Sequence, residues 1–373
     1  MRIVADENIP LVNECFGEMG EIVRLPGRDM TNADLQGADV LLVRSVTQVN
    51  EILLQNTPVR FVGTCTIGVD HLDIDYLERR GITWSSAPGC NANSVVEYVY
   101  AALAHLDVDW LGKRVGIIGC GNVGGRLYQR LRVQGVECRV YDPFLSSEQI
   151  PELTSLEAVL DSDVVCMHTP LTRSGLHPSY HLIGTEELKQ LRPGAVLLNA
   201  GRGAVIDNQA LLAHLEAGAD LRVVLDVWEP EPDISRPLLA RVELGSPHIA
   251  GYSYDGKMQG TFMIYEALCR DLGRWPDRAL DALRPAVADP ERTLAGGNVW
   301  SALKTLIPQV YAIAEDDQRL RDVAAQADRG EADFAKGFDQ LRKQYPKRRE
   351  FNNYRVSEAS EEARVRLDEL GFR

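Results

Sequence analysis

Arg202, Glu231 and His248 stand in that order along the second half of the sequence, and together they could move a hydride. Oxidising a 2-hydroxy acid needs a cation for the carboxylate, a base for the hydroxyl proton, and a group that tunes that base. Arg202, in NAGRGAVID (199–207), carries a guanidinium fork that grips a carboxylate and polarises the neighbouring oxygen. Histidine titrates near neutrality, which suits His248, in SPHIAGYS (246–253), to the role of base. Glu231, in DVWEPEP (226–232), can hydrogen-bond that imidazole, fix its tautomer and stabilise its protonated form. Each has a duller alternative: a surface ion pair, a loop charge between two prolines, a structural histidine after proline. Read together behind a nucleotide-binding pattern, they form one site.

That pattern is Gly119-Cys120-Gly121-Asn122-Val123-Gly124, a G-x-G-x-x-G string. Alone it is weak. Here it follows an apolar strand at 114–118 and opens a helix, the context that dinucleotide binding requires. Gly119 permits the tight turn, Gly121 lets the backbone approach a pyrophosphate, and Gly124 lets helix and strand pack closely. The next strand, CRVYDP, ends in Asp142. A carboxylate there accepts both ribose hydroxyls and repels a 2′-phosphate, so NAD is favoured over NADP. The duller alternative is a glycine-rich structural turn with a capping aspartate.

These residues need a scaffold that gathers strand ends. Apolar runs at 2–5, 40–44, 60–64 and 82–85 predict strands covered on both faces, hence a parallel sheet. A helix is predicted over 92–106. A second series follows at 114–118, 137–141, 164–168, 195–199 and 222–227, with amphipathic helices such as GGRLYQRLRVQG and NQALLAHLEAG between. The three motifs of the site lie at or just after strand ends, where ligands bind in open α/β sheets. Beyond 251 a helical stretch, 260–275, gives way to a proline- and charge-rich loop at 277–291 that marks a boundary. The tail is predicted mostly helical over 298–328 and 332–345. Its KRRE cluster, 347–350, is expected to be a solvated surface.

Composition narrows the class. A formal net charge of −14 argues against broad nucleic-acid binding and against docking on anionic lipid. No apolar run is long enough to cross a bilayer, and MRIVADENIP reads as a strand rather than a signal peptide. Seven scattered cysteines without a C-x-x-C pair suggest thiols in a reducing cytoplasm, and no metal site is expected.

The strings GCGNVGG, HTP, NAGRG, DVWEPEP and PHIAGY resemble the D-isomer-specific 2-hydroxyacid dehydrogenases over about residues 1–275. The resemblance implies an α/β fold of two doubly wound parallel-sheet domains, flavodoxin-like for substrate and Rossmann for NAD. It gives the arginine, glutamate and histidine the roles argued above. It also implies that Asp226 receives the nicotinamide carboxamide, that Thr169, Ala200 and Gly201 line the cofactor, and that Gly251 lies beside it.

Further strings narrow the likeness across the whole chain: MRIVADENIP, VRSVTQVN, APGCNA, PHIAGYSYDGKMQGT and, in the tail, FDQLRKQYPKRREF. They resemble the branch that oxidises 4-phospho-D-erythronate with NAD in pyridoxal phosphate biosynthesis. That branch implies a mainly helical C-terminal dimerisation domain at 281–373 and a homodimer. The remaining domains are then 1–92 with 252–280 for substrate and 93–251 for NAD. Ser45, Thr66 and Tyr252 would contact the phosphorylated hydroxy acid, and Arg44 adds charge whose direction the sequence leaves open. CTIG at 65–68 departs from the small residues expected in that loop. Two rivals are a 3-phosphoglycerate-type dehydrogenase, whose extended forms end in a compact α/β regulatory domain, and an NADH-sensing corepressor-like binding protein.

Overall fold

The computed structural model describes residues 1–294, 298–357 and 359–373. Its longer helices are α1 (Ala92–His105), α2 (Asn122–Val133), α3 (Asn208–Glu216), α4 (Tyr254–Asp271), α5 (Val299–Val310), α6 (Ile313–Asp328), α7 (Phe334–Lys343) and α8 (Glu361–Leu370). The chain divides into two units, Met1–Asn91 with Ser253–Ala286, and Ala92–Tyr252 with Val287–Arg373.

The first unit is a parallel sheet of β1 (Arg2–Asp6), β2 (Glu21–Leu25), β3 (Val40–Val43), β4 (Phe61–Thr64) and β5 (Thr83–Ser85), in the order β2-β1-β3-β4-β5. This is the flavodoxin-like order. All residues of β3 and β4 are buried, as expected of continuous apolar runs in a doubly covered sheet. β2 was not among the expected strands; in its sequence, EIVRL, Glu21 and Arg24 leave no continuous apolar run, and it lies at the sheet edge. α4 begins six residues before the expected helix, because Ser253 caps it by accepting from the Gly256 amide at 2.9 Å. It ends at Asp271, so Trp275 lies beyond it and is 94% exposed.

The second unit holds β6 (Arg114–Ile118), β7 (Glu137–Tyr141), β8 (Val164–Met167), β9 (Ala195–Asn199), β10 (Leu221–Leu225) and β11 (Leu244–Gly245) in the order β11-β10-β9-β8-β6-β7. Val140 of β7 also makes an isolated parallel bridge to Leu153. Counting Leu153 as a vestigial third strand gives the dinucleotide-binding order 3-2-1-4-5-6 with β11 as a seventh strand at the far edge, and the crevice lies at the carboxyl ends of β6 and β8. Residues 226 and 227, expected at the end of a strand, instead begin the loop after β10.

The tail is helical, with a small parallel pair, β12 (Glu291–Thr293) and β13 (Arg355–Ser357). The single stretch expected over 298–328 is two helices, because Tyr311 turns extended and buries its ring, whose centre lies 6.3 Å from that of Tyr98 in α1. Leu303, Leu306, Phe351 and Leu367 share a core with α1 and β6, while Leu320, Phe334 and Phe338 join the core on the other side of the sheet. The tail therefore belongs to the second unit energetically, each such side chain contributing ~1.5–3 kcal/mol by burial.

The KRRE expectation fails. Arg348, Arg349 and Glu350 are buried, and only Lys347 is exposed. Arg348 lies 3.6 Å from Glu97 of α1 and 4.0 Å from the centre of the Tyr311 ring, and donates to the Ala250 carbonyl at 3.0 Å. Glu350 accepts from Asn93 at 2.7 Å. A charge cluster looks solvated in sequence when its partners lie far away along the chain, and here they do.

Candidate active site

The cofactor turn follows β6. Gly119 has φ +85°, a conformation L residues rarely adopt. A Cβ on Gly124 would stand 1.9 Å from the Gly119 carbonyl oxygen, so helix and strand touch backbone to backbone. A Cβ on Gly121 would meet no heavy atom within 4 Å. The side of Gly121 is therefore open where α2 starts at Asn122 and Val123, and a helix N-terminus offers amides to phosphate there. A cavity of about 360 Å³ lies alongside, lined in part by Gly121, Asn122, Arg126 and Gln149. Thr169 closes the turn from β8, its hydroxyl donating to the Ile118 carbonyl at 3.1 Å, and Gly201 packs against the Thr169 backbone. Ala200, half-buried, follows β9. These residues converge on the switch-point crevice and fit a dinucleotide.

Asp142 is half-buried at the end of β7. Its Oδ2 accepts from the Cys120 amide at 2.9 Å and its Oδ1 from the Phe144 amide at 3.1 Å. The capping role is thus real, and it leaves capacity for the expected ribose contact, because each carboxylate oxygen keeps a second lone pair.

All three residues of the trio lie in the second unit, where His248 and Glu231 are in direct contact. Asn199, buried at the end of β9, ties its own turn from both sides: Oδ1 accepts from the Gly201 amide and Nδ2 donates to the Arg202 carbonyl, each at 3.0 Å. Arg202 is left exposed, donating to the Gly201 carbonyl and paired with no acid among the described residues. A Cβ on Gly203 would stand 1.8 Å from the Trp228 carbonyl oxygen, so this turn and the DVWEPEP loop are jammed together.

His248 Nδ1 lies 2.7 Å from Glu231 Oε2, and Glu231 Oε1 accepts from the Trp228 amide at 2.9 Å. Burial pushes the Glu231 carboxyl up, but the hydrogen bond and charge of His248, the Trp228 amide and the Arg342 charge together hold it below its usual range. An ionised Glu231 can only accept, so Nδ1 carries the proton and Nε2 is left as the basic nitrogen. His248 has φ +56°, unusual for a non-glycine residue. Asp226 holds it there. Its carbonyl accepts from the His248 amide at 2.8 Å, Oδ1 accepts from Ser246 Oγ at 2.6 Å and the Ile249 amide at 2.8 Å, and Oδ2 accepts from the Ala250 amide at 3.0 Å. Asp226 thus has a loop-shaping task that its expected carboxamide role did not contain. Gly251 and Tyr252, both half-buried, follow directly.

In the first unit Ser45 is exposed just past β3. Thr66 is half-buried past β4, its hydroxyl 2.8 Å from that of Thr64, which in turn lies 2.9 Å from His71 Nε2. Arg44 has its direction fixed: Nε donates to Oδ2 of the fully buried Asp6 at 3.0 Å. The CTIG departure is absorbed because Gly260 of α4 passes the Cys65 carbonyl so closely that a Cβ would approach it to 2.7 Å.

Sequence reasoning missed Asp6, Asn199 as an organiser, Ser246 and Arg342. Asn199 had a signal, an asparagine two residues before a glycine at a strand end, which is an Asx-turn pattern. Arg342 had none, since one arginine in a basic helix looks like any other.

Residues 97–250 match the family described as D-isomer specific 2-hydroxyacid dehydrogenase, NAD binding domain, and residues 284–371 match a domain of unknown function. The chain is 63% identical to erythronate-4-phosphate dehydrogenase of Cellvibrio japonicus, covering 100% of both chains. It is 50% identical to the enzyme of that name from Saccharophagus degradans, over 100% of this chain and 99% of the other. Among solved structures, the TT0316 protein from Thermus thermophilus matches with a TM-score of 0.62 at 25% identity, over 74% of this chain and 99% of that one. No helix among the described residues is long and apolar enough to cross a membrane. With an NAD-binding domain of that type and full-length relatives at such identity, the chain belongs to the erythronate-4-phosphate dehydrogenase family of D-isomer-specific 2-hydroxyacid dehydrogenases.

Proposed function

We propose that this chain oxidises 4-phospho-D-erythronate to 2-oxo-3-hydroxy-4-phosphobutanoate, with NAD as oxidant, in the route to pyridoxal phosphate. The observation that carries the chemistry is the His248–Glu231 pair at 2.7 Å beside a loop rigidified by Asp226. Arg202 takes the substrate carboxylate, since its exposed guanidinium has no acidic partner of its own among the described residues. His248 Nε2 removes the C2 hydroxyl proton, and Glu231 stabilises the imidazolium that results. Bound NAD would supply the acceptor for the C2 hydride, which leaves C2 as a carbonyl. Ser45, Thr66 and Tyr252 hold the polar remainder of the substrate. Asp142 would accept from the adenosine ribose, and Asp226 would receive the nicotinamide carboxamide.

H248N with intact NAD binding tests this reading. Its hydride-transfer rate should fall ~10²–10⁴-fold, and near-wild-type turnover would remove His248 from the role. E231Q should move the low-pH limb of the oxidation profile toward acid, because the imidazolium loses its anionic partner. An unmoved limb would uncouple the two residues.

We further propose a cytoplasmic homodimer. The absence of disulfides among the seven cysteines suits a reducing compartment. For the dimer, the support is family likeness. The apolar faces of the tail helices are buried within the second unit and lend no support of their own. The helical tail also lacks the compact α/β form expected of an extended 3-phosphoglycerate-type dehydrogenase.

A further inference from the structure

Arg342 sits on α7, in the segment whose expected role is assembly rather than catalysis. Its Nη2 donates to the Tyr252 hydroxyl oxygen at 3.0 Å, and its guanidinium carbon stands 5.7 Å from the centre of the Tyr252 ring. A second tail residue braces the same side chain: the Tyr345 ring meets that of Tyr252 edge-on, with centres 6.0 Å apart at 84°. Tyr345 is itself anchored, donating to Asp316 of α6 at 2.9 Å. Arg342 Nη1 comes no nearer than 3.9 Å to Asp339, and its Nε is buried with no hydrogen-bond partner among the described residues. The tail thus brings a cation next to Tyr252 without neutralising it in a tight ion pair.

A phenol has one proton and two lone pairs. When a guanidinium occupies a lone pair, the proton is directed elsewhere, and the cation polarises the O–H bond so that it donates more strongly to an anion. We propose that Arg342 is a positioning residue for the reaction, holding Tyr252 so that its hydroxyl donates to the anionic oxygens of the phosphorylated substrate. This rests on the reading of Tyr252 as a substrate contact. It gives the C-terminal region a task inside the active site of its own chain. Because Arg342 acts through Tyr252, removing either should forfeit the same interaction. Ground-state binding should suffer more than the hydride step, which Arg202 and His248 govern.

The test is a double-mutant cycle in the full-length protein: R342M, Y252F and the two combined, with R342K as the conservative variant. For each, kcat and KM are measured with 4-phospho-D-erythronate at saturating NAD, beside a thermal melt. Y252F and R342M should each raise KM on the order of 10-fold, with kcat within ~3-fold for Y252F and more affected for R342M, which loses a charge that also acts on Glu231. R342K should recover most of the loss, and the KM of the double variant should be no worse than about twice that of Y252F. If Y252F raises KM while R342M does not, or if the two losses multiply, the inference is overturned and the Tyr252 reading survives. If Y252F leaves KM unchanged, the Tyr252 reading fails and takes the inference with it. A general loosening would lower the melting midpoint and kcat together without rescue by lysine, and would also overturn it. Should R342M lose its melting transition, the same cycle with R342Q decides by the same criteria.

Discussion

Adding one methyl group at Gly121 should separate folding from cofactor binding. A Cβ there meets no protein atom within 4 Å, so G121A collides with nothing in the fold. The open space beside Gly121 is where the pyrophosphate approaches the amides at the start of α2. A methyl group would hold the phosphate off at least one of them. A hydrogen bond to a charged group contributes ~1.5–3 kcal/mol, so NAD should bind roughly 10- to 100-fold more weakly. G124A is the opposite control. Its Cβ would lie 1.9 Å from the Gly119 carbonyl oxygen, so helix α2 must shift, at a cost of ~1–3 kcal/mol or more. Titration of NAD by calorimetry, with thermal melts of both variants, reads the two effects separately. If G121A melts like wild type and binds NAD within twofold of it, the cofactor does not pass over this turn as described.

Asp142 should set the choice of cofactor. D142A is expected to narrow the NAD over NADP preference in kcat/KM, because it removes the repulsion of a 2′-phosphate. It should also lower the melting midpoint slightly, since the Cys120 and Phe144 amides lose their acceptor. An unchanged preference would place discrimination elsewhere on the ribose pocket. The intact protein should sediment as a homodimer at micromolar concentration, and a monomer at every concentration would contradict that expectation. Truncation near Asp281 is not a clean test of the dimer, because it strips Leu306, Phe338 and Phe351 from cores shared with the second unit and should cause aggregation.

Much of the site was legible in sequence because its parts are local. Gly119 to Gly124 sit between a strand and a helix, and the NAGRG, DVWEPEP and SPHIAGYS strings each lie past a strand end. Periodicity and turn chemistry operate over that range. What escaped depends on distant partners. Arg348 and Glu350 are buried because Glu97, Asn93 and Ala250 receive them, and nothing near the KRRE string in sequence announces this. Asp6 is hidden in an apolar strand, and its meaning appears only when β1 and β3 pair and Arg44 reaches back to it. β11 has two residues, too few for any alternation to show. What the tail helices cover stayed hidden for the same reason, since helical periodicity reveals an apolar face but not what packs on it.

The central claim is that this chain acts on a four-carbon phosphorylated 2-hydroxy acid through Arg202, Glu231 and His248. Its most direct test compares kcat/KM for 4-phospho-D-erythronate, 3-phosphoglycerate and unphosphorylated erythronate under identical conditions, followed by NADH absorbance. The first should be used far better than either of the others. Loss of the phosphate should lower kcat as well as weaken binding, because remote binding energy orients the reacting carbon. Equal or better use of 3-phosphoglycerate would contradict the substrate assignment while leaving the hydride chemistry in place.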